Sequence, residues 1–482
     1  EQLFSILKLD QLEHLSPSQL EQVKGLVGEY RDIFSQGEDD VGCTDLQEQE
    51  IILDTDRPIR DKYYNIPIAL RPQAEQEVRK LLDLKVLQPS SSTYHSPSFL
   101  MKKPDGSYRL LTDFRLLNKH TLRSWQPIPG LEEMVVLWNK CQYYSKVDFI
   151  KGFYQTRLKP ESRHVTATSI PGIGFFEYVR SPLGLSGSPC FFQNLVEKIF
   201  MGLKNEQCVC YLDDVLSGAK TFDDMITNLR AIFSRILDSK MLLKPSKCEF
   251  FRQRIKFLGV MLDKNGISVC PEKVDSIVKM APPKNVKGVR SFLGLSGFYR
   301  RFIVKYSQVA EPFTRLTKKD VKFVWSAEAN TAWQTIKDML ASAPILAHPA
   351  MGQRFTLITD ASNYCIGGIL AQYDDDGLLH PISYGSSILN ETQRRWSTVQ
   401  RELWALVHFC QKYRTFLLNQ EFSVVTDNKG LLNLHKYKDI KSDRLWRWFE
   451  ILSNYQFTVE YAPSKQNEDD PLKSTLPKKR GG

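Results

Sequence analysis

Two adjacent aspartates sit inside a run of strand formers, Val209-Cys210-Tyr211-Leu212-Asp213-Asp214-Val215-Leu216, and this placement constrains the chain more than any other feature. The apolar and aromatic residues on both sides predict two short strands, with the acids at the tight turn that joins them. Asp is a common turn residue, so a solvated turn is the plain alternative. Apolar flanks on both sides favour a buried hairpin tip, and two carboxylates there call for cations. Upstream, Tyr144-Ser145-Lys146-Val147-Asp148 predicts another strand that ends in a third acid, followed by the glycine-bearing stretch Phe149-Ile150-Lys151-Gly152-Phe153.

Three acids on neighbouring strands can hold two Mg²⁺ ions, with Mn²⁺ as a substitute, because hard oxygen ligands suit these ions over zinc. In phosphoryl transfer such ions lower the pKa of an attacking 3′-hydroxyl and neutralise the leaving pyrophosphate. A second set of acids stands towards the C-terminus. The runs Phe355-Thr356-Leu357-Ile358-Thr359-Asp360 and Phe422-Ser423-Val424-Val425-Thr426-Asp427 both end in Thr-Asp, which predicts acids at equivalent strand ends. Between them Trp396, Val399, Leu403, Leu406 and Cys410 recur at helical spacing, with Glu402 on the border of that stripe and able to reach the sheet.

Length and composition fit several packed domains: 482 residues at 42% hydrophobic content correspond to roughly three or four units of about 150 residues. A formal charge of +10, from 65 basic and 55 acidic residues, favours a polyanionic partner. No apolar run approaches the roughly 20 residues of a membrane-spanning helix, so no membrane partner is expected, and the N-terminus lacks a signal-peptide layout. The nine scattered cysteines predict reduced thiols rather than a disulfide framework or a zinc site.

Tyr211-Leu212-Asp213-Asp214 resembles the Y-x-D-D motif of reverse transcriptases, and Asp148 fits their first catalytic aspartate. Lys102-Lys103-Pro104-Asp105-Gly106-Ser107-Tyr108-Arg109, with Asp113-Phe114-Arg115 after it, is similar to the fingers hairpin of that family. The resemblance implies that Lys102, Lys103 and Arg109 contact the incoming triphosphate. It also implies that Phe153 lies under the sugar and excludes a 2′-hydroxyl; a plain core aromatic is the alternative. Leu183-Gly184-Leu185-Ser186-Gly187-Ser188-Pro189 with Phe192-Gln193 resembles the segment lining the nucleotide pocket and template, which makes Gln193 a substrate contact. Lys247 is a candidate general acid for pyrophosphate. Phe257-Leu258-Gly259 resembles the primer-gripping hairpin.

Asp360, Glu402 and Asp427 together resemble the metal site of ribonuclease H, where Gly367-Gly368 would form a close turn. That family has a fourth acid in a late N-x-x-A-D-x-L motif. Here Asn467-Glu468-Asp469-Asp470-Pro471-Leu472 departs from it, leaving Asp470 as the fourth ligand with Asp469 as the competitor. Tyr461, where many related nucleases carry histidine, and Val289–Ile303, similar to a connection segment, place the resemblance in gypsy-like long-terminal-repeat retrotransposons (Metaviridae-type Pol).

The expected fold is therefore α+β and multidomain: a right-hand polymerase with fingers, palm and thumb, then a connection and an α/β ribonuclease H-like domain. The expected boundaries are an N-terminal helical extension at 1–45, fingers and palm at 46–267, thumb and connection at 268–343, the ribonuclease H-like domain at 344–475, and a basic tail at 476–482. The implied function is RNA- and DNA-dependent DNA synthesis with ribonuclease H cleavage, using two Mg²⁺ per active site. The implied partners are a template-primer duplex, an RNA/DNA hybrid and dNTPs, and a homodimer or association with other Pol subunits stays open. The implied place of action is the cytoplasm within virus-like particles, with the nucleus as the other compartment. A non-catalytic nucleic-acid-binding relative and an RNA-dependent RNA polymerase are the competing readings; intact acids oppose the first, and Phe153 with the second acid set opposes the other.

Overall fold

The computed structural model describes residues 2–103, 106–122, 130, 134–138, 140–436 and 442–463. Asp469, Asp470 and the basic tail lie outside the described residues. Contacts divide the chain into two compact units, Glu1–Gly130 with Cys141–Gln253, and Leu131–Lys140 with Arg254–Gly482.

The first unit holds two sheets. One is four-stranded, in the spatial order Val209–Tyr211, Asp214–Ala219, Tyr143–Asp148 and Glu249–Arg252. The helix Phe222–Ser239 packs on it, burying Met225, Leu229, Ile232, Phe233 and Ile236 at helical spacing. Thr221 caps that helix by accepting from the Asp224 amide at 3.2 Å. The other sheet is five-stranded, in the order Leu87–Pro89, Gly174–Tyr178, Thr168–Ile170, Ser96–Lys102 and Tyr108–Thr112.

The segment read as an N-terminal extension is part of the palm. Leu7, Leu9, Val23, Leu26, Val27, Ile33 and Phe34 are buried in one core with Val147, Phe149, Phe192, Phe233 and Phe250. Phe34 also forms a parallel bridge to Leu243. A boundary at residue 45 would divide this core. Its amphipathic helix Pro17–Glu29 starts with a complete capping box between Ser16 and Gln19.

The second unit begins with a three-stranded antiparallel sheet, Arg254–Phe257, Val260–Asp263 and Gly266–Val269, so these strands group with the thumb and connection helices rather than with the palm. Leu258 and Gly259 form the two-residue turn of its first hairpin with φ of 46° and 82°, the doubly left-handed geometry that tight hairpins require. The Tyr299 hydroxyl donates to the Gly259 carbonyl at 2.7 Å. Short helices follow, and then a five-stranded sheet in the order Leu379–Ile388, Cys365–Tyr373, Phe355–Ala361, Glu421–Thr426 and Gln456–Tyr461. Its last three strands run parallel, and the helix Thr398–Lys412 packs on the strands Phe355–Ala361 and Cys365–Tyr373.

Among the described residues, no helix is long and apolar enough to cross a membrane. The nine cysteines all lie among the described residues, and none of them forms a disulfide.

Candidate active sites

The polymerase acids meet on the four-stranded sheet. Tyr211 pairs with Asp214 across a turn made of Leu212 and Asp213, and Asp148 pairs with Asp214 on the neighbouring strand. Leu212 is held at φ 52°, a left-handed conformation that costs a non-glycine residue roughly 1–2 kcal/mol. The side chain of Gln193 pins this turn. Its Oε1 accepts from the Leu212 amide at 2.7 Å, and its Nε2 donates to the Cys210 carbonyl at 3.1 Å and to Glu197 at 2.9 Å.

Gln193 is fully buried, and its amide is consumed by these bonds. These bonds hold the turn between Tyr211 and Asp214, and the substrate contact expected of Gln193 is not among them. Gln155 is fully buried in the same way and binds the Ile150 and Leu242 carbonyls and the Leu242 amide, at 2.7, 2.9 and 2.7 Å. It ties the loop after Asp148 to the chain beside Lys244.

Asp148 and Asp213 line a cleft of about 340 Å³ together with Phe153, Lys103, Arg109 and Lys247. Burial pushes the Asp148 carboxyl up to about 6, with Lys247 opposing and Asp213 and Asp214 adding to the rise. Burial also raises Asp214. Lys247 Nζ donates to Asp148 Oδ2 at 3.1 Å. The Phe153 ring packs edge-on against Phe192 with centroids 5.4 Å apart. Gly152 permits this, since a Cβ there would fall 2.8 Å from the Phe192 ring.

The fingers hairpin separates the three basic residues expected to hold phosphate. Arg109 lies opposite Met101, and Lys102 lies opposite Tyr108, so Lys102 and Arg109 leave the ladder on opposite faces. Lys103 and Arg109 face the cleft, whereas Lys102 is exposed and does not line it. The alternation of the strand thus turns Lys102 away from the face that carries Arg109.

The second acid set is gathered more tightly. Phe355 pairs with Phe422 and Ile358 with Val425 in parallel register, which puts Asp360 and Asp427 at matching positions. Ligand atoms of Asp360, Glu402 and Asp427 all lie within 4.8 Å of one another. Glu402 is 3% exposed; its Oε1 accepts from the Ala361 amide at 3.1 Å, while its buried Oε2 has no hydrogen-bond partner. An orphaned buried carboxylate oxygen facing two other acids is what a divalent-cation ligand looks like in the absence of its ion. Burial, then Asp360 and Asp427, push Glu402 up to about 8. Burial and Asp360 also raise Asp427.

Gly367 and Gly368 are not in a turn. They lie within the strand Cys365–Tyr373, where Gly368 pairs with Gly385. A Cβ at either Gly368 or Gly385 would come within 2.5–2.6 Å of the Phe409 ring. The glycines let the helix that carries Glu402 approach the sheet, a role that a strand-breaking signal in the sequence obscures. Tyr461 ends the last strand with Lys429 over its ring at 5.2 Å.

Comparison with known proteins finds two families along the chain. Residues 101–262 match the family described as reverse transcriptase (RNA-dependent DNA polymerase), and residues 325–424 match the RNase H-like domain found in reverse transcriptase. The chain carries a reverse transcriptase domain followed by an RNase H-like domain.

The reverse transcriptase match contains Asp148, Asp213 and Asp214, and the RNase H-like match contains Asp360 and Glu402. The chain is 33% identical to the retrovirus-related Pol polyprotein from transposon 297 of Drosophila melanogaster, over 96% of this chain and 44% of that protein. It is 31% identical to that from transposon opus of the same organism, over 96% and 48%. Against the transposon Tf2-3 polyprotein of Schizosaccharomyces pombe it is 28% identical, over 85% and 31%. The chain thus spans less than half the length of these relatives. In fold it resembles a foamy viral protease-reverse transcriptase solved with double-stranded DNA, at TM-score 0.86 and 22% identity, covering 97% of this chain and 82% of that one. A foamy viral protease-reverse transcriptase solved with an RNA/DNA hybrid gives a TM-score of 0.81 at 22% identity, over 100% of this chain and 65% of that one.

Proposed function

We propose that the chain copies retrotransposon RNA into DNA, using RNA and then DNA as template, and cleaves the RNA strand of the resulting hybrid. One observation carries this reading: two separate carboxylate centres stand in one chain, the first within the residues that match reverse transcriptase and the second, apart from Asp427 just beyond the match, within those that match the RNase H-like domain. The substrates are dNTPs and a template-primer duplex, and the foamy viral relatives solved with double-stranded DNA and with an RNA/DNA hybrid support that choice. Most of the duplex affinity comes from phosphate contacts by Lys and Arg and weakens steeply with salt.

Asp148, Asp213 and Asp214 would hold divalent cations at the polymerase centre; Asp360, Glu402 and Asp427 would do so at the nuclease centre, with Asp470 or Asp469 as the fourth acid. When bound, Mg²⁺, or Mn²⁺ in its place, would supply an activated oxygen nucleophile and neutralise the departing charge. Lys103 and Arg109 bind the triphosphate from the fingers side. The Phe153 ring, which lines the cleft, would block a 2′-hydroxyl, and Lys247, which lines the same cleft, would give a proton to pyrophosphate. The setting is a cytoplasmic virus-like particle, and a homodimer or a complex with other Pol subunits is a matter for sedimentation of the purified chain.

The test is extension of a labelled DNA primer on a labelled RNA template with dNTPs and Mg²⁺, run with Asp213→Asn and Asp427→Asn. The first variant should lose extension alone and the second cleavage alone. A wild-type chain that does neither across salt and metal conditions would make it a nucleic-acid-binding scaffold.

A further inference from the structure

Lys305 belongs to the segment between the two matched domains, yet its Nζ lies 2.7 Å from Asp360 Oδ2, at the edge of the three-acid nuclease cluster. An exposed lysine near an acid is commonplace and contributes little. Two features distinguish this one: the anchoring of its neighbours and the course of its stem. Its backbone is left-handed at φ 51° and ψ 31°, as in Lys8, Lys85, Lys140, Lys151 and Lys240, and in a non-glycine residue that conformation persists where the surrounding structure holds it.

The flanking residues are bolted to the nuclease sheet. Arg300 donates to the Ser386 carbonyl at 2.5 Å, and the Ser307 amide donates to Ser386 Oγ at 2.9 Å, with both serines buried. Directly after Lys305, the Tyr306 hydroxyl is bonded to buried Ser296 at 2.8 Å. The side-chain stem passes over Gly367, where a Cβ would stand 3.9 Å from Lys305 Cγ. The ammonium is therefore delivered to Asp360 by a built platform and not by a free arm.

We propose that Lys305 is a positioning residue of the nuclease centre, a tethered cation that holds Asp360 and offsets the charge of the cluster until divalent ions displace it. This inference rests on the reading of Asp360, Glu402 and Asp427 as a metal site. Its consequence is a raised threshold: ions must compete with a monovalent cation that is already covalently attached. Removing the ammonium should tighten metal binding, whereas structural damage to a metal site would weaken it.

The experiment is Mn²⁺ binding followed by electron paramagnetic resonance on the full chain. Asp148→Asn and Asp213→Asn are present throughout to silence the polymerase centre. Lys305→Met is expected to bind Mn²⁺ about tenfold more tightly than its parent, the scale of one charge pair in a half-exposed site. Lys305→Arg should stay near the parent. Lys305→Asn keeps a residue type that accepts the left-handed backbone but cannot reach Asp360, so it should behave as Lys305→Met does and decides the matter should Lys305→Met fold poorly. Without metal, both shortened variants should melt several degrees lower than the parent and regain the loss on Mn²⁺ addition. Unchanged or weaker Mn²⁺ binding in Lys305→Asn would overturn the proposal. Undiminished binding after Asp427→Asn in the same background would instead sink the metal-site reading beneath it.

Discussion

Lys247 and Asp148 form an ion pair across the polymerase cleft, Nζ to Oδ2 at 3.1 Å, with the lysine half exposed and the aspartate buried. If Lys247 gives its proton to pyrophosphate, Lys247→Met should lower the single-turnover rate of nucleotide addition about 100-fold, the lower range for a lost general acid. Nucleotide affinity should move far less. Rapid-quench incorporation separates the two, and an unchanged rate would leave Lys247 as a charge partner of Asp148 only.

Gln193 offers a test that touches neither substrate nor metal. Gln193→Ala strands the part-buried Leu212 amide and the buried Cys210 carbonyl, at a cost of about 1–3 kcal/mol for a buried group left unpaired. Primer extension should fall at least tenfold because the strained turn carrying Asp213 loses its clamp, while cleavage of the RNA strand continues. Paired gel assays with a denaturant melt of the same samples read all three quantities.

Phe153 is expected to set sugar selectivity. Phe153→Val opens the floor of the cleft beside Phe192, and discrimination against ribonucleotides should drop by 10- to 100-fold, roughly the 1–3 kcal/mol that steric pocket contacts supply. Competing rGTP and dGTP incorporation measures it. Equal selectivity in the variant would return Phe153 to the role of core aromatic.

Glu402 makes the metal-free chain sensitive to alkali. Its folded carboxyl titrates near 8 against an ordinary 4.5, so the folded state binds the proton more tightly than the unfolded state does. The associated stability is present below the ordinary value and is lost as pH rises through 8, on the order of a few kcal/mol once the group is fully ionised. In EDTA, the melting temperature of wild type should therefore fall relative to Glu402→Gln between pH 5 and pH 8.5. Asp360, Asp427, Arg401 and Lys305 surround the group in both proteins, which makes the difference between them the informative quantity. Divalent cations should reverse the order for wild type only.

Gly368→Ala tests how closely the Glu402 helix must approach. The added methyl meets the Phe409 ring, and overpacking of this kind costs about 1–3 kcal/mol. Cleavage should fall with little change in extension, as two-probe gels would show.

The acids were readable from sequence because metal chemistry demands them in short, local patterns. The Thr-Asp endings of two strand-like runs predicted positions that the parallel register makes equivalent. Alternation in the fingers hairpin was also present in the text but its phase was not, so Lys102 was grouped with Lys103 and Arg109. The hold of Gln193 on the turn escaped because its partners are main-chain atoms brought near by tertiary packing, which no side-chain pattern announces. Gly368 and Gly385 escaped for the opposite reason: glycine in a sequence points to turns, whereas here it makes room for a ring on a packed helix. The first 40 residues showed amphipathic periodicity but gave no sign of which surface their apolar face would cover.

That shared core sets an order of events during synthesis. Phe34 packs with Phe233 and Phe250, and its segment bridges Leu243, so the earliest helices have no partner until the ribosome has made the last palm strand. At about 5–20 residues per second the wait is roughly ten to forty seconds. Throughout that interval Val23, Leu26 and Val27 form an apolar stripe without its core, a natural target for a nascent-chain chaperone.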